Sequence, residues 1–220
     1  LAITPKTKGF FIPSPNNPTG NLATEAQIRG LLDTGLLVVV DEAYYEFCGF
    51  TFLPLLQEYS NLVVIRTFSK WAGLAGLRVG YGIMSAELVR HIIDIKSPYN
   101  VSVAAEAALL ASLEDARALL DNVAIIVAER KRMYSFLEGL PGVKPWRSSG
   151  NFILCQFEEG RGGEVYEGLA RRGIFVRKFS TERLADCLRI TVGTPAQTDA
   201  LIAAMQDLTT PDTETSERRD

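Results

Sequence analysis

The sequence predicts an α/β fold: a mostly parallel sheet in the first half, followed by a smaller α+β region. Two short continuous apolar runs rich in Val and Leu, Leu36 to Val40 and Leu62 to Ile65, are separated by polar or helical stretches. That is the pattern of strands buried on both faces of a parallel sheet, and its alternation with helical segments argues for stacked layers of both kinds. After Val143 the texture changes to short strands and helices in quick succession, which marks the α+β region. With 220 residues, 47% of them hydrophobic, the chain has ample material for a sizeable core.

The elements follow in order. Residues 8 to 12 read as a short buried strand ended by the turn-rich stretch Pro13 to Gly20. Thr24 and Glu25 open a helix, the two apolar runs supply the next strands, and Leu77 to Ile83, with Gly80 and Gly82 inside it, supplies another. Helical patterning then covers Glu87 to Ile95, Ser102 to Leu119, and Asn122 to Leu140, which runs without proline. Beyond it come strands at Phe152 to Phe157, Ile174 to Arg177 and Cys187 to Val192, with helices near Val165 to Arg172 and over Ala196 to Leu208. The expected organisation is a first domain over residues 1–120, a long connecting helix over 121–142, a small domain over 143–208 and a disordered tail over 209–220. The tail has no apolar residue to bury.

Composition narrows the function. The net charge is −3 and the arginines are scattered, so the basic footprint of a nucleic-acid binder is missing and a small-molecule partner is expected. No apolar run approaches the roughly 20 residues that cross a bilayer, and Leu1 to Lys6 lacks the zones of a signal peptide, so a cytoplasmic setting is expected. Cys48, Cys155 and Cys187 sit among apolar neighbours without metal-ligand spacing and read as reduced thiols; no metal is expected. The first residue is not methionine, and the chain opens on a strand that leads straight into a polar turn, which suggests an N-terminal portion missing from this sequence.

Ligands in open α/β sheets bind at the carboxyl ends of strands, and three strand ends in a row carry polar groups. Asn16-Asn17-Pro18-Thr19-Gly20 follows the first, Asp41-Glu42-Ala43-Tyr44 the second, and Thr67-Phe68-Ser69-Lys70 the third, with Arg78 eight residues past Lys70. Each segment alone reads as a turn or a helix cap. Together they bring a lysine, an aspartate, a tyrosine, an asparagine and an arginine to one crevice. The lone histidine, His91, lies on a helix apart from every motif and is given no role.

These segments resemble fold-type I pyridoxal-phosphate (PLP) aminotransferases, the aspartate aminotransferase superfamily. Within it the chain is most similar to the histidinol-phosphate aminotransferase branch, on Ser69-Lys70-Trp71-Ala72-Gly73-Leu74-Ala75-Gly76-Leu77-Arg78, Ser149-Gly150-Asn151-Phe152-Ile153, Gly173 to Arg177 and Cys187 to Thr194. The resemblance covers nearly everything before the tail and implies that residues 1–120 are the C-terminal part of a large PLP-binding domain. It implies Lys70 as the lysine that carries the cofactor and moves the substrate's proton. A free lysine keeps its own proton to about pH 10.4, so that role calls for desolvation or a nearby cation.

The resemblance also implies Asp41 beneath the pyridine nitrogen, where a carboxylate keeps the ring protonated. Asn17 and Tyr44 would hydrogen-bond the ring's phenolic oxygen, and Thr67, Ser69 and Arg78 the phosphate, which a planar guanidinium can grip with two bonds. Glu42 reads as structural. In the small domain, Arg189 would bind the carboxylate of the amino-acid partner with support from Asn151, and Arg177 a substrate phosphate. Tyr99 and Asn100 resemble a segment near the family's subunit interface, and a homodimer is implied. The expected reaction is transamination of L-histidinol phosphate and 2-oxoglutarate to imidazole-acetol phosphate and glutamate. Alternatives are an aromatic amino-acid aminotransferase, a threonine-phosphate decarboxylase, or the effector domain of an aminotransferase-like transcription regulator. The family's ring-stacking aromatic, first phosphate loop and cross-dimer tyrosine have no counterparts in this sequence, and a fragment of this extent is expected to be poorly stable and inactive alone.

Overall fold

The computed structural model describes residues 3–209, so all but the first residue of the expected tail lies outside the described residues. The described chain forms two compact units, 1–124 with 148–150, and 125–147 with 151 onward.

In the first unit β1 (Gly9–Pro13), β2 (Leu37–Asp41) and β3 (Leu62–Thr67) run parallel in that order, and β4 (Gly80–Met84) pairs antiparallel with β3. Successive strand side chains face opposite sides of a sheet, which sorts the apolar runs into two sets. Val38, Val40, Leu62 and Val64 pack on one side against Ile28 and Leu32 of α1 (Glu25–Leu32) and against Phe52 and Leu55. Val39, Asp41, Val63 and Thr67 belong to the other side. Helix α1 starts where a capping box ends the loop: the Gln27 amide donates to Thr24 Oγ1 at 3.2 Å, and the Thr24 amide donates to Gln27 Oε1 at 2.9 Å.

Three sequence expectations shift. The strand expected over Leu77 to Ile83 starts only at Gly80, because Ala75–Leu77 form a 3-10 turn and Arg78 adopts a left-handed conformation, φ 56° and ψ 45°. The helices α3 (Ala86–Ile95), α4 (Val103–Glu114) and α5 (Ala116–Glu138) divide at Asp115 instead of near residue 120. Asp115 leaves helical geometry at φ −110°, ψ 29°, whereas Asp121 and Asn122 are carried inside α5, where each costs less than about 1 kcal/mol among strong helix formers. The strand expected over Ile174 to Arg177 is paired only at Arg177–Lys178 (β7); Ile174 and Val176 pack against the core without ladder partners among the described residues.

The second unit is an antiparallel sheet in the order β5 (Val143–Pro145), β6 (Phe152–Phe157), β8 (Cys187–Thr191), β7. Ile153, Cys155, Leu188 and Ile190 face Met133 and Leu137 of α5, Val165 and Leu169 of α6 (Arg161–Arg171), and Leu201 and Met205 of α7 (Pro195–Thr209). Leu169 is fully buried there. Leu169→Ala is expected to destabilise the protein by about 2–5 kcal/mol, seen as a lower urea midpoint with an unchanged slope. Among the described residues no helix is long and apolar enough to cross a membrane.

Candidate active site

The register puts the three polar strand ends side by side. Pro13 pairs with Asp41 and Asp41 with Ile65, and the ladder runs one step further through the Ser14 amide to Asp41 O and the Glu42 amide to Ile65 O, each at 2.9 Å. After β1 the chain turns through Asn16 to Gly20: Asn16 Nδ2 donates to Thr19 Oγ1 at 2.6 Å, and the Gly20 amide returns to Asn16 O at 2.7 Å. Asn17 lies exposed in this turn. Gly20 has φ +78°, and a Cβ there would come within 2.8 Å of Ser148 Cα. Glycine is therefore needed both for the left-handed backbone and for the approach of the 148–150 segment, whose Ser149 amide donates to Gly20 O at 2.8 Å.

Asp41 Oδ1 accepts from the Ala43 amide at 2.9 Å, which fixes the carboxylate at the end of β2. Tyr44 is buried just before the short helix α2 (Tyr45–Cys48), and Lys70 Nζ lies 5.7 Å from its ring centroid. Lys70 itself is exposed. Beyond β3, Thr67 Oγ1 donates to Ser69 Oγ at 2.8 Å and accepts from the Ser69 amide at 3.0 Å, a tight turn that holds two hydroxyls together. Arg78 is exposed, its Nη1 on Ala75 O at 3.0 Å, and it is the non-glycine residue with positive φ among the described residues. Such strained backbone in a non-glycine residue concentrates at ligand-binding sites.

Behind these residues lies a feature that motif reading left as simply structural. Glu42 is wholly buried and Arg66 nearly so, and they form an ion pair at 2.8 Å. Burial opposes the charge on Arg66, and its bonds to Glu42 outweigh that, holding the guanidinium above its ordinary pKa. The half-buried Glu46 carboxyl is pushed up to about 7, chiefly by burial and further by the Glu42 charge, with Arg66 acting in the opposite sense. The sequence signal was the alternation itself, which puts Glu42 and Arg66 on the face opposite Asp41 and Thr67.

In the second unit Arg177 and Arg189 are direct cross-strand partners of β7 and β8. Arg189 is half-buried, with its Cζ 5.3 Å from the Phe152 ring centroid, while Arg177 is exposed. Asn151 stands just before β6, where its carbonyl accepts from the Val192 amide at 2.9 Å. His91 lies exposed on α3. The three cysteines are free thiols; burial pushes the Cys155 thiol up, which makes it inert. Among the described residues no group of three or more His, Cys, Asp or Glu is arranged to hold a metal ion.

Comparison with known proteins places this geometry in a family. The family model for aminotransferase class I and II matches residues 2–205. A histidinol-phosphate aminotransferase of Dehalococcoides mccartyi is 46% identical over 207 residues, 94% of this chain and 58% of that protein, so the chain spans little more than half the length of this relative. Among solved structures, the histidinol-phosphate aminotransferase from Clostridium acetobutylicum superposes with a TM-score of 0.83 at 25% identity, over 92% of this chain and 64% of that one. The enzyme of the same name from Sinorhizobium meliloti, solved in complex with pyridoxal-5'-phosphate, superposes with a TM-score of 0.80 at 26% identity, over 92% of this chain and 57% of that one. A match across almost every described residue, on an α/β scaffold with its polar groups at the carboxyl strand ends, identifies the chain as a member of the aminotransferase class I and II family.

Proposed function

We propose that this chain is the part of a PLP-dependent aminotransferase that carries the cofactor lysine. The whole protein would interconvert L-histidinol phosphate and 2-oxoglutarate with imidazole-acetol phosphate and glutamate, the biosynthetic direction running from glutamate toward histidinol phosphate. The observation that carries the reading is the convergence at adjacent strand ends of a primary amine 5.7 Å from a phenol ring, an amide-oriented carboxylate and a pair of hydroxyls 2.8 Å apart. The donor set fits the cofactor: the Thr67 and Ser69 hydroxyls with Arg78 suit a phosphate, Asp41 suits a pyridinium nitrogen and Lys70 suits an aldehyde. When bound, PLP supplies an aldehyde that captures an amine and a ring that draws electron density from the carbon losing its proton.

The chain's own residues do the rest. Lys70 Nζ would hold and move the proton of the substrate carbon that bears nitrogen. Asp41 keeps a proton on the ring nitrogen, and the Ala43 amide holds its carboxylate in one orientation. The Tyr44 hydroxyl and the Asn17 amide donate to the phenolic oxygen. Arg189, supported by Asn151, takes the carboxylate of glutamate. Arg177 takes the phosphate of the other substrate. Like charges opposed on paired strands are unfavourable, and anionic substrates relieve that cost. A homodimer and a cytoplasmic setting belong to the same reading, the latter supported by two buried free thiols.

Substrate choice tests the proposal. In the whole protein, Arg177→Ala is expected to raise KM for histidinol phosphate roughly 10- to 100-fold, the loss of a charge-assisted bond, while the half-reaction with glutamate is unchanged. A preference for phenylalanine over histidinol phosphate, or carbon dioxide released from threonine phosphate, would sink the assignment.

A further inference from the structure

We propose that the buried Glu42–Arg66 pair, capped by Tyr45, is a positioning device that locks the carboxyl ends of β2 and β3 in place. By doing so it holds Asp41 and Thr67 at a set spacing on the opposite face of the sheet. What stands on that face rests on the aminotransferase reading; the lock itself does not. The geometry is saturated. Glu42 Oε2 accepts from Arg66 Nε at 3.0 Å and Nη2 at 2.8 Å, Oε1 accepts from the Phe52 amide at 2.7 Å, and the Thr51 hydroxyl lies 2.9 Å from Oε2. Arg66 Nη2 also reaches Thr51 Oγ1 at 2.9 Å, and its guanidinium lies 3.5 Å from the Tyr45 ring centroid.

Glu42, Tyr45 and Arg66 each sit one residue from a member of the candidate site: Glu42 beside Asp41, Tyr45 beside Tyr44, Arg66 beside Thr67. The apolar layer below, built from Val40, Val64 and Phe52, already supplies the cohesion between these strands. A buried ion pair is a poor source of net stability, since apolar residues of similar volume often do as well or better, but breaking one partner is costly and the bonds are directional. Apolar contacts tolerate sliding, whereas a guanidinium fork on a fixed carboxylate does not. The pair therefore accounts for position where packing accounts for stability.

The test compares the full chain with the double variant Glu42→Leu, Arg66→Met and with Arg66→Lys, which keeps the charge but loses the planar fork and the ring stacking. Three quantities are read: thermal midpoint, hydrogen exchange of the 41–45 and 66–70 segments, and the PLP dissociation constant by absorbance. Both variants are expected to melt within about 5 °C of the parent, yet to exchange these segments about tenfold faster and to bind PLP about tenfold more weakly. Parental exchange rates in a folded double variant overturn the proposal, whatever PLP does. Should the double variant fail to fold, Arg66→Lys decides by the same criterion. If the whole protein ignores PLP while exchange still accelerates in the variants, the proposed cofactor role fails and the lock stands.

Discussion

Lys70→Ala is expected to remove covalent attachment of PLP altogether and, in the whole protein, to lower turnover by about 10⁴-fold or more, since in the proposed mechanism one amine serves both as attachment point and as the base that moves the proton. The fold should not register the change. Lys70 is exposed, and its described contact is the Tyr44 ring at 5.7 Å, so stability is expected to stay within about 0.5 kcal/mol of the parent. Borohydride reduction in the presence of PLP, followed by peptide mapping, reads the outcome: the parent carries the label on the Lys70 peptide and the variant carries none. Label retained elsewhere with turnover within tenfold of the parent would remove Lys70 from the mechanism.

Asp41→Asn is the second large effect. The asparagine oxygen can still accept from the Ala43 amide, so the loop after β2 keeps its 2.9 Å bond and the melting temperature is expected to hold. What disappears is the negative charge that, in the proposed role, keeps the ring nitrogen protonated. Proton removal from the substrate carbon is expected to slow by roughly 10³-fold, comparable to losing a pre-organised electrostatic partner elsewhere, while PLP affinity changes much less. Stopped-flow absorbance of the half-reaction with glutamate separates the two. A rate within a few-fold of the parent would place the carboxylate outside the chemistry.

Much of the first unit's local structure is written in short-range patterns. The runs Leu36 to Val40 and Leu62 to Ile65 announced the strands found at Leu37–Asp41 and Leu62–Thr67 because apolar residues fill both faces, and Thr24 with Glu25 announced the helix that follows. The side-by-side order of strand ends came from the same runs, since sequential parallel strands pair through crossovers. Local reading fared worse where a distant partner decides. Phe175 is apolar yet 84% exposed, and the strand expected around it is paired only at Arg177–Lys178, because pairing depends on where β8 lies and not on propensity. The helix break at Asp115 and the continuous run through Asn122 differ by a few tenths of a kcal/mol in propensity, too little for composition to rank.

The sequence by itself determined the type and order of most elements, the family, and the residue types gathered at the strand ends, because these follow from periodicity, caps and turn chemistry within a few residues. Only the tertiary structure decided the left-handed backbone at Arg78, the approach of Ser148 to Gly20 that forbids a side chain there, and the pairing of Glu42 with Arg66 across 24 residues. Each depends on what a residue meets after the chain has closed on itself. Burial and long-range contact set those energies, and neither has a local signature.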